Sequence, residues 1–273
     1  MSESLLSTEP DPTESDPTES DTYEAFPFSD RCRRVWDLGD HLLIGVSPGN
    51  SYFSPRRITE LLLWAREFFD AVDIVYADLH VDTQFAAFGY EPEHARRRAA
   101  KEIKTTARRI ERGVAQARWD AVRVRALSDF LPDDGYQQLR AEIDRALAGD
   151  PVFRTAAEGM ARSFLGARLA EGAAPTAGQL AAGLRYICAE LPFFLDTPRL
   201  LGVPSSVSCY HIELPLTPVL FGRGEGLRAV PEQGYAVVRP AVSSTDPTDP
   251  AAPAPAVAAA DPVTEPVPAA AAA

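Results

Sequence analysis

Apolar positions along this chain switch between a period of two and a period near 3.6, and the switching predicts strands and helices in turn. Leu42 to Val46 is a short apolar run bounded by Gly and Pro, which reads as a buried parallel strand rather than a helix. Ser54 precedes Pro55, an N-cap followed by the helical position where Pro costs nothing. A helix is therefore expected from Pro55, carrying Ile58, Leu61, Leu62 and Trp64. Asp73 to Leu79 is a second β-branched run, so the chain opens β-α-β with a right-handed crossover between parallel strands. Residues 94–114 form the most regular helical pattern, with Ala99, Ile103, Ala107, Ile110 and Val114 on one side. Ala121 to Leu127 alternates apolar and basic positions as a third strand. Tyr136 to Leu147 and Val152 to Leu169 are helical by spacing, broken by Gly149-Asp150-Pro151. A link over 171–178 leads to a helix from about Gln179 to Leu191, stopped by Pro192. Gly202 to His211 is a loop entering another strand, and Gly234 to Arg239 is the last one. Strands alternating with helices predict a doubly wound α/β domain, its sheet mainly parallel and its helices on both faces.

Composition divides the 273 residues into three parts. Residues 1–25 hold eight acidic and no basic residues, and residues 241–273 hold four acidic and no basic ones among Ala, Pro, Val, Ser and Thr. Neither stretch has the apolar bulk to offset ordering entropy, so both are expected to be disordered tails around a body at 26–240. The tails supply all of the formal charge of −12, and the body balances 27 acidic against 27 basic residues. The low pI therefore does not exclude a nucleic-acid partner. Cys32, Cys188 and Cys209 are odd in number and lack C-x-x-C spacing, which argues against a disulfide framework and a zinc site. No apolar run approaches the roughly 18 residues of a membrane span, and the N-terminus is acidic where a signal peptide is basic. A cytoplasmic, membrane-free protein is expected.

The first strand delivers a hydroxyl, that of Ser47, to the carboxyl end of a sheet, where open α/β folds keep their ligands. Ser47-Pro48-Gly49-Asn50 is also ordinary turn composition. Gly45-Val46-Ser47-Pro48-Gly49 matches the G-x-S-x-G elbow of serine hydrolases, with His211 late enough to complete a triad. Against that reading, the elbow takes an oxyanion donor from the N–H after the nucleophile, and Pro48 has none. The helix also starts several residues too late for a tight elbow.

Three other groups carry chemistry. Arg97, Lys101, Lys104, Arg108 and Arg112, with Arg98 beside them, form a stripe about 80° wide along the 94–114 helix. A solvated face usually mixes signs to gain i,i+4 pairs, whereas like charge in one stripe costs stability unless a polyanion compensates, which favours a phosphate backbone. Tyr186 and Glu190 are i and i+4, one turn apart on one helix face. Asp78, His80 and Asp82 alternate after the second strand, but residues leaving a strand end are commonly just solvated, and no metal is expected there.

Gly45 to Ser54 and Tyr186 to His211 together resemble the two signatures of the cyclodipeptide synthases, in the right order, within a similarity spanning roughly residues 30–240. Those enzymes take two aminoacyl-tRNAs and release a diketopiperazine. The resemblance implies a Rossmann-like domain similar to the catalytic domain of class I aminoacyl-tRNA synthetases, particularly those for tyrosine and tryptophan. His41-Leu42-Leu43-Ile44-Gly45 departs from the His-x-Gly-His ATP signature of that class, and no Lys-Met-Ser-Lys-Ser-like loop is present. Activated amino acids would be consumed rather than made, with no ATP and no cofactor. By the same resemblance Ser47 is the nucleophile, Glu190 with Tyr186 holds the α-ammonium, and Tyr210 relays protons. Asn50 and His211 brace the site, and Gly45 leaves room for the aminoacyl backbone. Leu43, Phe193 and Ser208 wall the side-chain pocket, and the basic stripe receives the tRNA acceptor arm. Ser208 is a polar group in an apolar lining and wants a partner, so a Tyr hydroxyl or Trp N–H is expected opposite it, with cyclo(Tyr-Tyr) as the first product to test and Phe or Leu as the alternative if water satisfies Ser208. A monomer is expected. A serine hydrolase and a non-catalytic tRNA-binding module are the alternatives.

Overall fold

The structure is a computed structural model that describes residues 23–166, 168–169 and 173–241. The expected tails lie outside the described residues except at their inner ends. Strand β1 (Tyr23–Pro27) begins inside the stretch that composition assigned to the acidic tail. Tyr23 is the reason: its ring is buried against Trp64, 5.7 Å between centroids, and that burial outweighs the polarity of its neighbours.

The elements continue as α1 (Asp30–Trp36), β2 (His41–Val46), α2 (Pro55–Ala65), β3 (Ala71–Tyr76), α3 (Val81–Ala87), α4 (Pro92–Ala117) and β4 (Val122–Ala126). Then come α5 (Asp134–Gly149), α6 (Pro151–Gly166), α7 (Ala177–Glu190), α8 (Pro192–Leu195), α9 (Thr197–Leu201), β5 (Ser206–Tyr210), α10 (Thr217–Phe221) and β6 (Gln233–Pro240). Every strand and helix expected from periodicity is present. β1, α1, α3 and the short helices α8 to α10 were not expected, being too short for a period to show. The helix expected to reach Leu169 stops at Gly166, and the strand expected to reach Leu79 stops at Tyr76.

Local chemistry explains the helix starts. Ser54 caps α2 by accepting from the Arg57 N–H at 3.1 Å, with Pro55 at the first helical position. Thr176 and Gln179 form a reciprocal capping box at α7, a T-x-x-Q signal that places its start two residues before the expected one. Gly113 lets α4 lie close on α2: a Cβ there would meet Ile58 at 2.7 Å.

The six strands are ordered β1-β6-β5-β2-β3-β4, parallel throughout except for the antiparallel β1–β6 pair. The chain winds from β2 outward through β3 and β4, then returns to β5 on the other side of β2. That reversal is a topological switch point, and the crevice outside the carboxyl ends of β2 and β5 is where such sheets bind ligands. Leu42, Ile44 and Val46 face one core with α1 and α2, while Leu43 faces the other with α5 to α7.

At the opposite, amino ends of the strands sits a fully buried carboxylate. Asp73 meets His41 Nε2 at 3.0 Å and Arg123 at 2.6 Å, and His41 Nδ1 contacts Ser206 Oγ at 2.8 Å. Burial raises its pKa, but the His41 and Arg123 hydrogen bonds outweigh that and hold it below the ordinary value of 3.8. Removing one partner of a buried pair leaves the others uncompensated, so Asp73→Asn is expected to lower unfolding free energy by about 3 kcal/mol at neutral pH. A carboxylate with a depressed folded pKa stabilises above its unfolded value and loses that as pH falls through the folded value, so urea titrations of the two proteins should converge in acid.

Candidate active site

Ser47 follows the last residue of β2. Asn50 N–H donates to the Ser47 carbonyl at 3.2 Å, closing a turn with Pro48 at its second position and Gly49, φ 77°, at its third. Proline fixes the first corner and a positive φ demands glycine at the second, so Pro-Gly dictates this turn. The Asn50 side chain ties the turn down: Nδ2 donates to the Tyr210 hydroxyl at 3.1 Å, and Oδ1 accepts from the Tyr52 N–H at 3.0 Å. The loop after β2 is thereby fixed to the end of β5.

Ser47, Tyr186, Glu190 and Tyr210 line one cavity of about 200 Å³ at this point. Tyr186 comes from α7, buried, its ring stacked on Phe164 at 5.2 Å and 12°. Its hydroxyl interacts with the Ser47 hydroxyl and the Glu190 carboxyl. The last turn of α7 is anchored by the Tyr136 hydroxyl, which donates to the Ala189 carbonyl at 2.9 Å. Burial pushes the Glu190 pKa up to about 7, against a smaller opposing pull from Tyr186. Burial and then the nearby Glu190 charge push both Tyr186 and Tyr210 above the ordinary tyrosine value, so both are hydroxyls, not phenolates, at neutral pH. One alcohol, one carboxyl poised to ionise and two proton-bearing phenols thus share one hollow.

Leu43, Gly45, Phe193 and Ser208 line the same cavity. A Cβ at Gly45 would meet nothing within 4 Å, so the space above its backbone is open. Ser208 corrects an expectation. Its hydroxyl donates to the Phe193 carbonyl at 3.3 Å and accepts from Gln233 Nε2 at 3.1 Å, so it already has partners and does not call for a polar substrate tip. Asn50 and His211 lie behind the cavity wall rather than on it. His211 is buried, stacked on Tyr52 at 4.0 Å, and its Nδ1 has no hydrogen-bond partner among the described residues. Burial, then Arg57, lowers its pKa to about 4, so it is neutral at physiological pH.

Sequence reasoning missed Met160, Ser163 and Phe164 on α6, and Ile212 to Pro215 after β5, all of which line the cavity. On α6 the apolar positions repeat like any core stripe, so nothing in the pattern marks those that face a ligand. Asp78, His80 and Asp82 do not converge: Asp78 accepts from the Ser128 N–H at 2.8 Å, Asp82 from the Thr83 N–H at 2.8 Å, and no metal-binding cluster occurs among the described residues.

The basic residues of α4 divide into two groups. Arg97, Arg98 and Lys101, with His94 and Arg109, line a groove of about 530 Å³ closed on its other side by Gly49 and Ser51. Arg98 is half-buried over the rings of Phe85 and Tyr90, 5.5 Å from each, and Arg97 pairs with Glu93 at 2.8 Å. Lys104, Arg108 and Arg112 are exposed on the adjoining strip. The groove therefore leads along α4 to the Ser47 loop.

A hydroxyl, a carboxyl and proton donors gathered at the switch point of a doubly wound sheet define an α/β enzyme of the group-transfer class. The cyclodipeptide synthase family model matches residues 23–240, and the chain belongs to that family, as an aminoacyltransferase. It is 43% identical over 216 residues to a cyclo(L-tyrosyl-L-tyrosyl) synthase of Mycobacterium tuberculosis, covering 78% of this chain and 75% of that one. It is 41% identical over 213 residues to a cyclo(L-leucyl-L-phenylalanyl) synthase of Streptomyces noursei, covering 77% and 89%. A solved Mycobacterium tuberculosis structure, described as relating cyclodipeptide synthetases to type I tRNA synthetases, superposes with a TM-score of 0.72 at 42% identity, covering 81% of this chain and 94% of that one. No described helix is long and apolar enough to cross a membrane.

Proposed function

We propose that the protein, acting as a monomer, joins two aminoacyl groups delivered on tRNA into a cyclic dipeptide through intermediates esterified to Ser47, and that cyclo(Tyr-Tyr) is its principal product. The shared cavity of Ser47, Tyr186, Glu190 and Tyr210 carries this reading. In the first step the Ser47 oxygen attacks the aminoacyl ester, its proton leaves toward the tRNA hydroxyl, and the amino acid becomes a serine ester. Ester replaces ester at similar energy, so no ATP is needed. Ionised Glu190, with Tyr186 beside it, holds the α-ammonium by a charge-assisted contact and orients the acyl group. The amine, once neutral, attacks the ester carbonyl of the second aminoacyl-tRNA; the ester bond breaks, the amine proton goes to the departing tRNA hydroxyl, and the new peptide bond leaves a dipeptidyl ester on Ser47. The second amine then attacks that ester, Tyr210 passes the proton to the departing Ser47 oxygen, and the ring closes. Both bond-forming steps convert esters to amides and run downhill.

The geometry of His211 favours this over a serine hydrolase. That ring is neutral, stacked on Tyr52, and in no ion pair with a carboxylate among the described residues. The choice of product rests on the similarity to a cyclo(L-tyrosyl-L-tyrosyl) synthase, not on Ser208. Expression in a bacterium followed by mass spectrometry of the medium tests both. The expected result is a cyclo(Tyr-Tyr) ion absent from an empty-vector culture. A different cyclic dipeptide would overturn the product while keeping the reaction, and none at all from abundant folded protein would overturn the reaction.

A further inference from the structure

The fold brings the start of the described chain to the same edge as the cavity. β1 runs antiparallel to β6, with Tyr23 opposite Pro240, so Tyr23 stands at the carboxyl edge of an otherwise parallel sheet. The Tyr23 hydroxyl interacts with Arg57, whose guanidinium lies 5.2 Å from the Tyr52 ring. Tyr52 adjoins Ser51, and Ser51 is part of the wall of the basic groove. The 22 residues that precede Tyr23 therefore join the fold within a few side chains of that groove.

Those 22 residues contain seven carboxylates and no Lys or Arg, whereas residues 242–273 spread four carboxylates over a longer stretch. The groove offers the complementary charge: Lys101 within it and Lys104, Arg108 and Arg112 beside it make no ion pair among the described residues. Like charges concentrated this way are relieved by an anion, and a tethered polyanion is always at hand. A chain of 22 residues can reach at most about 70 Å, ample for the gap.

We propose that the segment 1–22 is an intramolecular competitor that occupies the α4 groove and must be displaced by the phosphate backbone of incoming aminoacyl-tRNA. The inference rests on the α4 groove being the tRNA contact, and it adds a regulator of that contact. A short tether gives a local concentration in the millimolar range, so even a weak, sub-millimolar contact raises the apparent KM for aminoacyl-tRNA about three- to fivefold. Bound acyl groups react as before, so kcat is unchanged. Salt weakens every contact of this kind, so the competition fades as ionic strength rises.

The test uses the full chain with every Asp and Glu between positions 1 and 22 replaced by its amide, which keeps length and fold intact. At about 50 mM salt its KM for aminoacyl-tRNA should fall about three- to fivefold with kcat unchanged, the difference should vanish near 0.3 M salt, and a free peptide of residues 1–22 should raise its KM again. An unchanged KM at low salt overturns the proposal. The same measurement on the amide-substituted chain carrying Lys101→Glu, Lys104→Glu and Arg108→Glu separates the two ideas. If those reversals raise KM and flatten its salt dependence while the amide substitutions alone change nothing, only the competitor is lost. If the reversals change nothing, the groove is not the tRNA contact and both fall.

Discussion

Ser47→Ala is expected to lower cyclic dipeptide synthesis from aminoacyl-tRNA by roughly 10⁴-fold or more, because removing the proposed nucleophile of a covalent pathway leaves only binding and orientation. The fold should not register the change. The turn is held by the backbone contact from Asn50 to the Ser47 carbonyl and by the Asn50 side chain, none of which uses the serine hydroxyl. The proposed covalent step has a signature of its own. Native protein incubated with aminoacyl-tRNA labelled in the amino acid should retain label through denaturation and release it to hydroxylamine, and Ser47→Ala should retain none. Synthesis by the variant at the native rate would remove the acyl-enzyme from the mechanism, whatever the cavity contains.

The second large effect belongs to Glu190. Glu190→Gln preserves shape but cannot grip an ammonium by charge, and loss of one charge-assisted contact of this kind should reduce kcat/KM by about a hundredfold. With a pKa near 7 in the empty cavity, native activity should decline as pH falls through 7 while the variant stays flat over that range. Stability should move the other way. The folded protein binds the Glu190 proton more tightly than the unfolded chain, whose value is 4.5, so native stability declines as pH rises from 4.5 through 7. At pH 8 the variant should therefore resist urea better than the native protein, by up to ~3 kcal/mol, and near pH 4 the two should match. Equal urea midpoints at both pH values, together with a flat native rate profile, would show that the carboxylate is not confined in a low-dielectric site.

Much of this architecture is legible from residue order because local chemistry and global fold agree. The run Leu42 to Val46 has to be buried on both faces, Ser54-Pro55 starts a helix wherever it occurs, and Pro48-Gly49 admits few turns. The juxtaposition of Ser47 with Tyr186, Glu190 and Tyr210 is different. It depends on β5 returning beside β2, and no spacing in the chain states that, so only similarity to a family could suggest it. Two failures are instructive. Tyr23 lies in an acidic stretch whose composition argues against structure, yet one aromatic ring against Trp64 draws it into the sheet. The Ser208 side chain taken alone calls for an outside partner, but its partners are a carbonyl from α8 and an amide from β6, which are distant in sequence. Satisfaction of a buried hydroxyl is a property of neighbours, and neighbours are what a linear reading lacks.

The β2–β5 seam has a consequence for when the chemistry becomes available. Ser47 leaves the end of β2 and Tyr210 the end of β5, and these two strands are joined by the short parallel ladder from Leu42–Val207 to Ile44–Cys209 and by the Asn50 side chain on the Tyr210 hydroxyl. Under the proposed mechanism, a chain in which that seam has opened would present the serine without Tyr210 beside it. The proposed covalent chemistry would then become available only once β2 and β5 are paired.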